Sequence, residues 1–200
     1  MRTGRGSRSA AIAATAVAFS LLALGCSTTS EPPAGPSGSP SASPSATSAS
    51  PTTSYSTDPV ERPPGQAGFA LLTAVRLAGH VGYDRFVVEF DDHVPGYRVE
   101  YASKPVIADP SGETVAVAGD HVILVRLEPA GTFDTAGSGT QGYDGPRRVS
   151  ADTSVVTEAV QTGDFESVLA WVLGVDGMAP FAVSTLQDPA RLVIDVQAAG

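Results

Sequence analysis

From Phe69 onward, apolar residues recur with a period close to two, in short runs broken by turn residues. This pattern places alternate side chains on opposite faces of an extended chain, and it excludes long amphipathic helices. Phe86-Val87-Val88-Glu89-Phe90 turns Glu89 outward, and Tyr97-Arg98-Val99-Glu100-Tyr101 puts three large residues on one face. Further candidate strands are Leu71–Leu77, Thr114–Ala118, His121–Leu127, Ser154–Gln161, Phe165–Leu173, Phe181–Leu186 and Arg191–Val196. Gly119-Asp120 reads as a two-residue hairpin turn between two of them. Phe165–Gly174 also fits two helical turns, with Asp164 as N-cap and Gly174 past the end, but its Val and Trp content favours a strand. The expectation is an all-β fold, a β-sandwich of about nine short strands.

Staples are absent from this design. The chain has one cysteine, so no intrachain disulfide is available. Residues 66–200, roughly 135 residues, are enough to bury a core by packing alone. The charge balance is acidic, with 12 Lys and Arg against 21 Asp and Glu. Such a surface repels nucleic acid and anionic lipid, which excludes both as electrostatic partners.

The cysteine is Cys26, at the end of Leu22-Ala23-Leu24-Gly25-Cys26. Arg2, Arg5 and Arg8 precede an apolar stretch from Ala10 to Leu24 that is too short to span a bilayer. This arrangement resembles a bacterial lipoprotein signal peptide, residues 1–25, with Ala23 where such signals favour Leu. The resemblance implies lipid attachment at Cys26 and a place on the outer face of the cell membrane. Residues 26–65 are rich in Ser, Pro and Thr and are expected to form a disordered tether. One lysine against eleven arginines and the absence of asparagine point to a GC-rich, actinobacterial source.

Catalytic signatures are weak. Ser138 lies in a glycine-rich stretch without a strand before it, and His80, His93 and His121 are scattered without metal-ligand spacing. Asp91-Asp92 point to opposite sides of an extended chain. Asp164 and Glu166 share a strand face at spacing two, the one pair suited to glycoside hydrolysis. Asp134 and Asp144 lack the spacing of a calcium loop. No cofactor or metal is expected. For a binding role, Tyr97 and Tyr101 share a face with Val99 and read as core, with Trp171 a further aromatic candidate. Tyr143 instead sits in the long loop Gly131–Arg148 beside Arg147 and Arg148. A ring and two guanidinium groups on a loop make Tyr143, Arg147 and Arg148 the candidate ligand-binding residues. Asp188-Pro189 and Arg191 are read as fixing the turn into the last strand.

The order of Asp84-Arg85-Phe86-Val87-Val88-Glu89-Phe90, Pro95-Gly96-Tyr97-Arg98-Val99-Glu100-Tyr101, Gly163-Asp164-Phe165-Glu166 and Pro180-Phe181-Ala182-Val183 resembles the AMIN-like domain of actinobacterial lipoproteins and secreted proteins. The closing Pro189-Ala190-Arg191-Leu192-Val193-Ile194-Asp195-Val196 strengthens it. The domain is similar, more distantly, to the AMIN domain of cell-wall amidases and secretins. The resemblance implies a β-sandwich without catalytic activity whose partner is peptidoglycan or an envelope protein.

Overall fold

A computed structural model describes residues 54–134, 137 and 139–198. Cys26, the segment before it, the tether as far as residue 53 and Ser138 lie outside the described residues. The described chain forms strands β1 (Val60–Arg62), β2 (Ala70–His80), β3 (Tyr83–Phe90), β4 (Gly96–Ala102), β5 (Val106–Ile107), β6 (Thr114–Val115) and β7 (His121–Glu128). It continues through β8 (Ala130–Gly131), β9 (Arg148–Val149), β10 (Val156–Phe165), β11 (Val168–Val175), β12 (Phe181–Leu186) and β13 (Ala190–Gln197). No helix occurs among these residues, and Phe165–Gly174 is not one strand: Phe165 ends β10, Glu166 and Ser167 turn the chain, and the rest lies in β11.

One sheet has six strands in the order β1-β4-β7-β11-β10-β9, and the other has five in the order β12-β13-β3-β2-β8. Their inner faces share one core. β3 alternates strictly, with Asp84, Phe86, Val88 and Phe90 buried and the residues between them partly exposed. The Phe86 ring from one sheet meets Trp171 from the other at a centroid distance of 5.9 Å. Trp171, Phe86, Phe90 and Phe181 are the largest fully buried side chains, each contributing about 1.5–3 kcal/mol through removal from water. Among the described residues the core runs from Val60 to Ala198.

The outer face of the six-stranded sheet carries a second apolar cluster. Val106, Val122 and Val172 pack there with Val115, Val117 and Leu124, under the small β5–β6 hairpin. β6 therefore pairs with β5, and Gly119-Asp120 does not close a hairpin between β6 and β7, as the sequence suggests. The segment after β6 instead lies across β11. A Cβ on Gly174 would stand 2.1 Å from the Ala118 carbonyl oxygen, so only glycine permits that approach.

The folded part also begins earlier than Gln66. Val60–Arg62 pairs with Val99–Tyr97 at the edge of the six-stranded sheet. Before it, the Ser56 amide and carbonyl exchange both hydrogen bonds with Phe181 of the other sheet, at 3.0 and 2.8 Å. Residues 56–62 thus strap the two sheets together along one side. The Arg62 guanidinium secures the strap, donating to the Val94 and Pro95 carbonyls at 2.6 and 2.9 Å and lying over the Tyr97 ring.

Candidate functional site

The three residues singled out for ligand binding part company in the fold. Tyr143 is buried, 9% exposed, and belongs to the core. Its ring meets Trp171 edge-on at 6.2 Å and its hydroxyl donates to the Pro146 carbonyl at 2.8 Å. Burial, with the Asp144 charge second, raises the phenol above its ordinary value. The expectation of a ring displayed on an open loop is corrected. A large aromatic flanked by glycines can fold back onto a tryptophan when the hydrophobic gain outweighs ordering the loop.

Arg148 is engaged as well. It forms an ion pair with Glu158 of β10 and donates to the Ala116 carbonyl at 3.0 Å. The other Glu158 oxygen accepts from the Ala118 amide at 2.8 Å. Lys104 binds the Val117 and Gly119 carbonyls of the same segment. Together these groups clamp residues 116–119 onto the six-stranded sheet. Burial alone would raise the Glu158 pKa. Its hydrogen bonds to Arg148 and the Ala118 amide, with the charges of Arg148 and Lys104, outweigh that and hold it below the usual range.

Arg147 is different. Its carbonyl accepts from the Gln161 amide at 2.8 Å, while its exposed guanidinium has no hydrogen bond or ion pair among the described residues. It lines an open groove of about 450 Å³ between the 108–113 loop and β10, with Asp109, Ser111, Glu113, Gln161 and Asp164. The loop is fixed to β10 by the Asp109 amide, which donates to the Thr162 carbonyl at 2.8 Å, and is closed by the Ala108 amide donating to the Glu113 carbonyl. The carboxylates of Asp109 and Glu113 are also unpaired among the described residues. A cation and two anions therefore face one polar groove, suited to a ligand that bears both charges. Sequence reasoning found Arg147 through the loop but not Asp109, Ser111 and Glu113, because a two-residue hairpin strand shows no readable period.

Asp164 and Glu166 do not share the strand face expected of them. Asp164 is the penultimate residue of β10 and accepts from the Thr132 amide and hydroxyl, tying the segment after β8 to the six-stranded sheet. Glu166 lies beyond it in the β10–β11 turn, where Glu166 and Ser167 have φ of 49° and 64°. The turn breaks the alternation on which a shared face depended. Tyr97 and Tyr101 pack against the core, as expected; the Tyr101 hydroxyl donates to the Ala179 carbonyl at 2.6 Å. His80 ends β2 and stacks on Tyr83, His93 sits in the turn after β3, and His121 starts β7. No group of three or more potential metal ligands gathers among the described residues. Arg191 donates to the Pro189 carbonyl at 3.1 Å within the turn into β13, in keeping with its expected place there.

No curated protein matches the chain. Among protein families, the model described as the AMIN-like domain matches residues 70–198, from the first residue of β2 to just beyond β13. That span takes in every strand from β2 to β13, the covering hairpin and the groove beside Arg147, and the chain belongs to the AMIN-like domain family.

Proposed function

We propose that this chain is a non-catalytic binding protein of the cell envelope, held at the outer face of the membrane by lipid on Cys26 and binding peptidoglycan through the groove beside Arg147. Family membership supports an extracytoplasmic setting. The observation that carries the ligand reading is the unpaired Arg147 guanidinium facing Asp109 and Glu113 across a polar groove. Peptidoglycan stem peptides carry carboxylates and free amines on a polar backbone, and a groove with fixed charges of both signs binds such a chain without a deep apolar pocket. The acidic surface fits attachment by acyl chains rather than by attraction to anionic lipid, since two buried chains hold a protein where one is marginal.

The test is co-sedimentation of Ala49–Gly200 with purified insoluble peptidoglycan, followed by assay of the supernatant for released fragments. Binding without release, lost in Arg147→Glu, is the expected result. Failure to sediment would rule out peptidoglycan as the ligand and turn the search to envelope proteins. Release of fragments would overturn the non-catalytic reading.

A further inference from the structure

The groove beside Arg147 holds more than opposite charges. One wall is formed by residues 161–164 of β10, beyond the two residues that pair with β9. Thr162 lies in that wall. It is 7% exposed, and its hydroxyl makes no hydrogen bond among the described residues. A buried hydroxyl without a partner is a group that a ligand can satisfy. Of the three carboxylates lining the groove, Asp164 is engaged by Thr132, which leaves Asp109 and Glu113. The loop that bears these two is set in advance. Its Gly112 amide donates to the Ala108 carbonyl at 2.8 Å and its Glu113 amide to the Ser111 hydroxyl at 3.3 Å, so little order is left to impose on binding. No aromatic ring lines the groove among the described residues, and stacking on a sugar face has no platform there.

We infer that the groove reads the cross-linking state of peptidoglycan, binding stem peptides whose amine is free and passing over those whose amine is joined to a neighbouring strand. This rests on the peptidoglycan reading above and names the part of the polymer that is bound. Arg147 takes a stem carboxylate, Asp109 and Glu113 take the ammonium, and the Thr162 hydroxyl takes a polar group of the peptide backbone. Cross-linking acylates the amine: the ammonium gives up a proton, its nitrogen gains a carbonyl substituent, and the positive charge disappears. Asp109 and Glu113 then face a neutral amide and lose their charged partner, while Arg147 keeps its carboxylate. The glycan, common to joined and unjoined strands, carries none of this discrimination. The chain therefore gathers where the wall is newly made or newly cut.

The test is co-sedimentation of the full chain with insoluble peptidoglycan that is untreated, acetylated on its amines, reductively methylated on its amines, or amidated on its carboxylates. Acetylation makes the same kind of amide that cross-linking makes, whereas methylation adds bulk and keeps the charge. Acetylation and amidation should each weaken binding about tenfold, and methylation should leave it within about threefold. Asp109→Asn together with Glu113→Gln should bind the untreated and acetylated forms alike, and Arg147→Gln should bind the untreated and amidated forms alike. These three side chains are exposed and hold nothing in the fold, so the thermal midpoints of the variants should match the wild type. Equal binding of the wild type to untreated and acetylated peptidoglycan overturns the inference and leaves the peptidoglycan reading standing. An undiminished effect of acetylation in the double variant also overturns it, because the amine is then read elsewhere on the molecule. Failure to bind the untreated polymer overturns the peptidoglycan reading itself, and this inference with it.

Discussion

The Asp84 carboxylate sits 2.6 Å from the Val155 amide, inside the sandwich and fully shielded from water. The neighbouring amides of Ser154 and Val156 donate to it as well, each at 2.9 Å. An acid on the inner face of β3 thus joins one sheet to the start of β10 in the other, satisfying three backbone donors that no strand partner could reach. Asp84→Asn keeps the shape but offers one acceptor oxygen and adds a buried donor. It should destabilise the fold by about 2–3 kcal/mol, measured as a lower denaturant midpoint at unchanged slope.

Tyr143 and Arg147 should separate cleanly in experiment, although they are four residues apart. Tyr143→Ala empties core volume against Trp171 and should cost about 3–5 kcal/mol of stability. Arg147→Glu should leave the thermal midpoint within about a degree, because the guanidinium holds nothing in the fold, yet reduce peptidoglycan binding about tenfold or more. Equal binding by wild type and Arg147→Glu would move the ligand away from the groove.

The clamp at Glu158 predicts an acid-sensitive hairpin. Its folded-state pKa is lowered from the ordinary 4.5, so its stabilisation is complete above that value and fades as pH falls through the depressed one. Between about pH 5 and 3 the wild type should therefore lose stability faster than Glu158→Gln, while at pH 7 the variant is less stable by about 1–2 kcal/mol. Exchange of the Ala118 amide should quicken in the same window, reporting loosening of residues 116–119.

The β10–β11 turn is built from residues ill-suited to it. Glu166 and Ser167 both occupy the left-handed region, the requirement of a two-residue turn that asparagine and glycine meet more easily. Ser167→Gly should stabilise the fold by roughly 0.5–1 kcal/mol, detected as a higher thermal midpoint.

Much of the architecture is legible because the long strands are half-buried. β3 follows strictly the alternation that its sequence displays, β7 and β12 follow it over part of their length, β13 is buried on both faces from Leu192 to Val196, and Trp171 could be read as extended from its Val-rich surroundings. What is not legible is pairing that involves two or three residues. Val60-Glu61-Arg62 has one apolar side chain, and its place is set by Arg62 reaching the Val94 and Pro95 carbonyls. β5 and β6 have no period to read, and their role follows from apolar residues on the outer face of the sheet that need cover. The candidate site divides in the same way. Arg147 is visible as a loop cation, but the burial of Tyr143 depends on Trp171 across the core, and the occupation of Arg148 depends on Glu158. Neither partner is marked in the local sequence.

The strap of residues 56–62 gives the molecule a mechanical direction. A pull on the chain before Ser54 falls first on the two Ser56–Phe181 hydrogen bonds and then on the three residues of β1, stitches that open one after another rather than together. The opposite terminus leaves from β13, which is flanked on both sides by long strands and would have to shear two ladders at once. Under tension the N-terminal side should therefore pay out slack at low force while the sandwich stays intact, behaving as a compliant fuse between the rigid domain and whatever holds its leading end.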